Sequence, residues 1–125
     1  MGLDTTHNCW HGPYSSFQAW RNKVAEAAGY EIKYQDGLEM PVVDQEHLTN
    51  AQAYGEWEET PSDPLLVLIW HSDCDGVIHP SQAAALGSRL IDLEPKMDSG
   101  TAYIANQFIH GLLIAAAHGE DVEFG

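Results

Sequence analysis

The residues best suited to chemistry lie in one short turn, between positions 71 and 79. This turn holds two aspartates, a cysteine and two histidines: His71, Asp73, Cys74, Asp75 and His79. Carboxylates bind hard cations, whereas imidazole and thiolate groups bind zinc or act as a base and a nucleophile. The turn is therefore where we first expect a functional site.

Calcium binding is one interpretation of this turn. Asp73, Asp75 and Gly76 match the third, fifth and sixth positions of an EF-hand loop. The first position would be His71 and the twelfth would be Gln82, and neither supplies the carboxylate expected there. Two carboxylates make a weak calcium site, so other interpretations stay open.

Zinc binding is a second interpretation, because histidine and cysteine are the common ligands of this metal. One cluster lies in the turn and another near the start of the chain, and the two would meet if the N-terminal strand lay beside the turn. The six candidate ligands are His71, Cys74, His79, His7, Cys9 and His11. Neither spacing matches a zinc-finger pattern, so zinc, calcium and a site without metal all stay open.

Two enzymatic interpretations and a structural one complete the alternatives for the turn. The sequence from Asp73 to Asp75 after an apolar run resembles the first motif of haloacid-dehalogenase phosphatases, whose first aspartate attacks phosphorus. Only about fifty residues follow, too few for a doubly wound sheet.

Cys74 with His71 or His79 could pair a nucleophile with a base. Alternatively, aspartate and glycine here only shape a tight turn.

An apolar run directly before the turn is expected to position it. Residues 65–70, LLVLIW, carry no charge and follow Pro64, a pattern typical of a strand buried on both faces. After the turn, Pro80 suits the first position of a helix. The sequence thus places the candidate site between a buried strand and a helix.

Hydrophobic periodicity and terminating residues predict the remaining elements. A capping box at Ser15 and Gln18 begins a first helix, and Gly29 and Gly119 end the first and third helices. The predicted helices are 15–29, 80–94 and about 100–118, and the predicted strands are 3–6, 65–70 and 122–124. We therefore expect an α/β (α+β) fold in a single domain over residues 1–125, with a small sheet of about three strands packed by three helices.

The chain is strongly acidic, with 19 acidic residues, five basic residues and a formal net charge of −14. A field of this sign repels phosphate backbones and anionic lipid, which argues against nucleic-acid and membrane partners. The N-terminus lacks the pattern of a secretory signal, so we expect a cytoplasmic location. Residues 30–64 hold nine acidic residues together with glycine and proline, which predicts a long, acidic, irregular excursion.

The chain as a whole resembles a group of small acidic proteins encoded by actinobacterial phages and prophages. The resemblance rests on GLDTTHNCWHGPYSSFQAWR at the start, LLVLIWHSDCDGVI in the centre and QFIHGLLIAAAHGEDVEFG at the end. The group often has aspartate where Asn8 stands and an acidic residue near Gln82. The resemblance implies an accessory role in a phage or prophage inside a bacterial host, and it assigns no catalytic residue.

These observations favour a binding or interaction module over an enzyme. We expect the turn and the aromatic segment 10–14 to form a surface that binds a small ligand or a host protein. Its predicted contact residues are His71, Asp73, Asp75, Trp10 and Tyr14. A metal-dependent hydrolase of a nucleotide-like substrate is one alternative, and an acidic DNA mimic that inhibits a basic host protein is another.

Overall fold

The computed structural model describes residues 2–35, 37–43, 51–52, 56–57, 59–72 and 75–125 of the chain. Over these residues the protein has a small α+β fold, which confirms the predicted fold class. Its helices are α1 (Tyr14–Ala27), α2 (Leu66–Ile69), α3 (Pro80–Leu93) and α4 (Ser99–His118), with 3-10 turns at Thr6–Asn8 and Glu94–Lys96. Antiparallel strands pair as β1 (Gly2–Asp4) with β2 (His11–Pro13), β3 (Ile32–Gln35) with β4 (Leu38–Pro41), β5 (Ala51–Gln52) with β6 (Glu56–Trp57), and β7 (Val77–Ile78) with β8 (Val122–Glu123).

Helix α1 supplies the aromatic centre of the core. Phe17, Trp20 and Val24 share one face of the helix and are buried, as the sequence predicted. The Phe17 ring centroid lies 5.1 Å from that of Trp10 and 6.4 Å from that of Phe108 in α4. The N-terminal hairpin and the long C-terminal helix therefore pack on the same aromatic side chains.

The predicted capping box at the start of α1 is wrong. The helix begins one residue earlier, and its N-cap is Pro13, whose extended backbone leads into the helix without a side-chain cap. Gln18 lies inside the helix, where its side-chain amide donates a hydrogen bond to the side-chain oxygen Oδ1 of Asn22 at 3.0 Å. With the N-cap at Pro13, the two polar residues lie two positions too far along the chain to form a capping box.

The apolar run 65–70 is a turn of helix and not the predicted strand. The Ile69 amide donates to the Leu65 carbonyl at 3.0 Å, and the Trp70 amide donates to the Leu66 carbonyl at 3.0 Å. Residues 65–69 are all buried, as predicted. An uninterrupted apolar run suits either conformation when it is covered on every side, so burial did not decide the backbone geometry.

The terminal strands exist, but they do not flank a central strand. Strand β1 pairs with β2, and β8 pairs with β7 through Ile78 and Val122. The Gly125 amide also donates to the Asp4 carbonyl at 3.0 Å, so the two ends of the described chain lie side by side.

Helices α3 and α4 lie where the sequence predicted them, within about one residue, and they pack closely on each other. Asp98 caps α4 by accepting a hydrogen bond from the Thr101 amide at 2.8 Å, and Gly119 ends the helix in the left-handed conformation. Among the described residues, no helix combines the length and the apolar character needed to cross a bilayer.

Part of the segment predicted to be irregular, 30–64, forms strands. The hairpin of β3 and β4 is fixed to α1 by Asn22, whose side-chain amide donates to the Glu39 carbonyl at 2.8 Å. Strands β5 and β6 also fall within this segment. Residues 36, 44–50, 53–55 and 58 lie outside the described residues.

Asp63 connects three parts of the chain just before α2. Its carboxylate accepts hydrogen bonds from the Tyr30 hydroxyl at 2.7 Å, the Leu65 amide at 3.0 Å and the Arg89 guanidinium at 3.1 Å. Partial burial raises the pKa of Asp63, but these donors outweigh that effect and hold the pKa below its ordinary value.

We expect Asp63→Asn to lower the free energy of unfolding at pH 7 by about 1–2 kcal/mol. The variant lacks the negative charge that pairs with Arg89 and strengthens the other hydrogen bonds to this side chain. The pKa is lower in the folded state, so this stabilisation is complete above the unfolded pKa of about 4 and is lost as pH falls through the folded pKa. Urea unfolding at pH 7 and pH 3 should therefore show a difference between wild type and variant that shrinks in acid. Asp92→Asn, at an exposed site on α3, is the control and should change little at either pH.

Candidate functional site

His71, the first residue of the predicted turn site, lies inside the protein. Its side chain is buried, and its ring centroid is 4.3 Å from that of Phe124. The ring nitrogens lie against backbone carbonyls, with Nδ1 2.8 Å from the Ser72 oxygen and Nε2 3.0 Å from the Val77 oxygen. His71 therefore shapes the turn from within. The prediction that its ring lies at an open binding surface is wrong.

The next candidates are Asp73, Cys74 and Asp75 of the turn, and Gln82 just after it. Asp73 and Cys74 lie outside the described residues, so the calcium, phosphatase and nucleophile interpretations that use them stay predictions. Asp75 is exposed. Gln82 caps α3, because its side-chain oxygen accepts the His79 amide at 2.9 Å and its amide donates to the Trp57 carbonyl at 2.8 Å. Gln82 is thus fully engaged and does not face the turn as a twelfth calcium ligand.

Apart from His71, the histidines of the two predicted zinc clusters each face a different carboxylate. His79 Nδ1 lies 3.1 Å from Asp121, His7 Nε2 lies 3.2 Å from Glu120, and His11 Nδ1 lies 2.7 Å from Asp4. In the part of the chain that the structure describes, no three histidine, cysteine, aspartate or glutamate side chains are grouped so that they could hold a metal ion. The described residues of the two clusters therefore do not come together around one metal position. The sequence had suggested this convergence for an N-terminal strand that lies beside the turn.

Cys9, the third ligand candidate of the N-terminal cluster, is buried as a thiol. Burial raises its pKa to about 12, and a hydrogen bond with the Thr5 hydroxyl opposes this only in part. Because the thiolate is the form that attacks carbon and binds zinc, Cys9 is unreactive at neutral pH. It is a packing group of the loop that joins β1 to β2.

That loop contains two consecutive residues in the left-handed conformation, His7 with φ 61° and Asn8 with φ 57°. Such a conformation costs about 1–2 kcal/mol for each residue that carries a side chain, so the surroundings must hold it in place. Gln107 of α4 does so by donating to the Asn8 carbonyl at 3.2 Å. Strain of this kind concentrates at ligand-binding and catalytic sites.

Gly111 allows the strained loop to lie directly on α4. A Cβ atom at this position would stand 2.5 Å from Cys9 Sγ and 2.6 Å from the His7 carbonyl oxygen. Both distances are far below van der Waals contact, so only glycine permits the close approach. The loop and the helix together form one wall of a cavity.

This cavity has a volume of about 290 Å³ and lies between the β1–β2 hairpin, the start of α1 and the outer side of α4. We call it the indole pocket, defined by Trp10, Gly12, Pro13, Ser16, Ile104 and Gln107. Its lining combines apolar side chains with the polar side chains of Ser16 and Gln107, as in pockets that bind small molecules.

Trp10 gives the indole pocket its chemical character. Its side chain is 7% exposed, and its ring stacks on Trp20 at a centroid distance of 5.7 Å. The Nε1 atom is buried, and no described group accepts a hydrogen bond from it. Gly12 leaves space beside this atom, because a Cβ there would lie only 3.6 Å from Nε1. Trp10, which lines the pocket, therefore carries a buried N–H donor for which no described group is an acceptor.

Tyr14, the other aromatic residue predicted to bind a ligand, is half-buried at the first position of α1 and packs against the core. The sequence reasoning missed Gly12, Ile104 and Gln107. The one available signal was that Ile104 and Gln107 lie three residues apart in the predicted helix 100–118, each directly before an apolar residue, so that both border its apolar face.

Comparison of the chain with protein-family models, curated proteins and solved structures found no match. The resemblance to phage and prophage proteins therefore stays a prediction. What the chain does must be argued from the geometry of its own residues, and the indole pocket is the place where that geometry is most specific.

Proposed function

We propose that this protein is a binding module whose indole pocket accepts a small apolar group carrying a hydrogen-bond acceptor oxygen. The observation that carries this proposal is the buried Nε1 of Trp10, for which no described group is an acceptor. A buried donor without a partner costs about 1–3 kcal/mol. A ligand oxygen that reaches Nε1 would recover this energy, so the pocket favours ligands with an acceptor.

The groups around the indole pocket suit recognition better than covalent chemistry. Cys9 stays protonated because burial raises its pKa to about 12. The ring nitrogens of His11 are engaged, with Nδ1 2.7 Å from Asp4 and Nε2 3.1 Å from the Asn8 side-chain oxygen. Pro13 and Ile104 add apolar walls. Within a phage or prophage, the role implied by the resemblance, such a module would act by binding a phage or host component.

The test uses N-acetyl-leucine amide as a probe, since it combines carbonyl acceptors with an apolar side chain. We expect its titration into ¹⁵N-labelled protein to move the Trp10 indole N–H cross-peak downfield, because the proton gains an acceptor. Trp10→Phe identifies this cross-peak by removing it, and the backbone amide cross-peaks of the variant should no longer respond to the probe. If the Trp10 cross-peak stays fixed up to the solubility limit of the probe, the proposal is wrong.

Trp57→Phe is the matched control, because the Trp57 indole already donates to the Trp70 carbonyl at 3.0 Å. We expect Trp57→Phe to lower the free energy of unfolding by about 1–2 kcal/mol through the lost hydrogen bond, while probe binding is kept. Trp10→Phe removes a donor that has no acceptor, so its cost should stay near the roughly 1 kcal/mol of a conservative core replacement. Urea unfolding of both variants distinguishes a ligand-binding tryptophan from a structural one.

A further inference from the structure

The indole pocket continues into a longer groove between α1 and α4. A second cavity, of about 430 Å³, shares Ser16 and Ile104 with the indole pocket and extends along Trp20 to Lys23. A third, of about 220 Å³, begins at Lys23 and reaches Lys96. We call this continuous depression the α1–α4 groove, with Trp10 at one end and the two lysines at the other.

The length of the α1–α4 groove fits a short stretch of extended chain. Ser16 and Lys23 are seven residues apart on α1, which corresponds to about 10 Å at 1.5 Å per residue. Three residues of extended polypeptide span a similar distance, about 10 Å. A peptide carbonyl in the indole pocket beside Ser16 would therefore place a side chain about three residues away near Lys23.

The charges in the groove contrast with those of the rest of the chain. Of the five basic residues, Arg21 is buried, Arg89 pairs with Asp63, and Lys33 lies 3.7 Å from Glu31. The other two, Lys23 and Lys96, line the same end of the groove. Across the described ranges of the chain, neither lysine takes part in a salt bridge shorter than 4.0 Å.

Two carboxylates also line the end of the groove where the lysines lie, Glu26 and Asp98. Asp98 is already engaged as the cap of α4, where it accepts the Thr101 amide at 2.8 Å and the Thr101 hydroxyl at 3.0 Å. Lys23 acts electrostatically on Asp98, and the two lysines and two carboxylates balance here. In a chain with a net charge of −14, an incoming carboxylate therefore meets less repulsion at this end of the groove than the net charge alone would suggest.

We propose that the α1–α4 groove binds an extended acidic peptide segment of a partner protein. This inference rests on the proposed function of the indole pocket. One peptide carbonyl accepts the Trp10 Nε1 hydrogen, the next residues cover Ile104 and Trp20, and a glutamate or aspartate side chain reaches Lys23 and Lys96. A peptide suits the groove because it supplies both an acceptor oxygen and a carboxylate at the required separation.

The experiment compares acetyl-Leu-Ala-Ala-Glu-amide with acetyl-Leu-Ala-Ala-Gln-amide by the same Trp10 cross-peak. We expect the glutamate peptide to bind more tightly. Lys23→Gln and Lys96→Gln should each reduce this preference by about two- to five-fold, the range for an exposed charge pair. Added salt should reduce it as well. Lys33→Gln, which makes the same change of charge on β3, is the control and should leave the preference unchanged.

The outcomes separate this inference from the proposed function. If both peptides move the Trp10 cross-peak equally and Lys23→Gln has no effect, the pocket stands and the acidic-peptide inference is overturned. If neither peptide moves it although N-acetyl-leucine amide does, the acidic-peptide inference alone fails, and if none of the three ligands moves it, both proposals fail. Equal losses in Lys23→Gln and Lys33→Gln would show a long-range charge effect and also overturn the inference. The inference is also overturned if acetate binds as tightly as the glutamate peptide and this binding depends on Lys23, because the ligand would then be a free carboxylate.

Discussion

Replacing Gly111 by alanine is expected to lower the free energy of unfolding by about 2–3 kcal/mol, even though alanine is the better helix former. The new Cβ atom would stand 2.6 Å from the His7 carbonyl oxygen and 3.2 Å from the Cys9 amide nitrogen. Both are backbone atoms, so no rotation of a side chain relieves the clash. The loop must move away from α4, and the strained conformation at His7 and Asn8 then loses its support.

Gly100→Ala is the matched control in the same helix. Its Cβ atom would meet only Asp98 Oδ1, at 3.5 Å, which is an ordinary contact. Both substitutions raise the helix propensity of α4 by the same exchange of glycine for alanine. The difference between the two variants in the free energy of unfolding, measured with urea, therefore reports the clash itself. Gly111→Ala should also weaken the response of the Trp10 cross-peak to N-acetyl-leucine amide, because the loop forms a wall of the indole pocket. Equal unfolding midpoints for the two variants would contradict the close packing of loop and helix.

The long helices were predictable because each has both a period and a boundary residue. In α3, Ala83, Leu86 and Leu90 recur on one face after Pro80, and all three are buried. In the run 65–70, by contrast, every position is apolar and no period exists. Tertiary contacts decide the conformation of such a run, among them the hydrogen bond from Arg21 to the Leu68 carbonyl at 3.2 Å.

The candidate site could be predicted only in part, because residue type does not reveal whether a hydrogen-bonding group already has a partner. His71 looked available in the sequence, yet its ring faces the Ser72 and Val77 carbonyls. Trp10 was predicted as a contact residue on the strength of its aromatic ring, whereas its importance in the structure comes from a buried N–H without an acceptor. That property depends on packing between the hairpin and α4, which are distant in sequence.

Arg21 is the residue whose role sequence reasoning missed most completely. It lies on α1 among apolar neighbours, and it is buried, with its guanidinium 4.5 Å from the centre of the Phe17 ring. Its Nη1 donates to the Leu68 carbonyl at 3.2 Å and to the His71 carbonyl at 2.6 Å. One side chain therefore holds both the end of α2 and the start of the 71–79 turn against α1.

We expect Arg21→Met to lower the free energy of unfolding by about 2–5 kcal/mol, since removing a donor from a buried acceptor costs about 1–3 kcal/mol and two carbonyls are affected. Methionine keeps much of the apolar stem, so the loss measures the guanidinium and not the packing. Lys23→Met, two residues further along α1 and exposed, is the control.

Amide hydrogen exchange sharpens the test of Arg21, because the structure predicts where the loss occurs. Residues 68–72 should lose protection in Arg21→Met beyond the global change, whereas Lys23→Met should leave their exchange unaltered. A lysine in place of Arg21 should recover only part of the stability, because an ammonium on a flexible stem lacks the planar fork that reaches two carbonyls. Full recovery by Arg21→Lys would mean that the positive charge, and not the geometry of the guanidinium, fixes the turn.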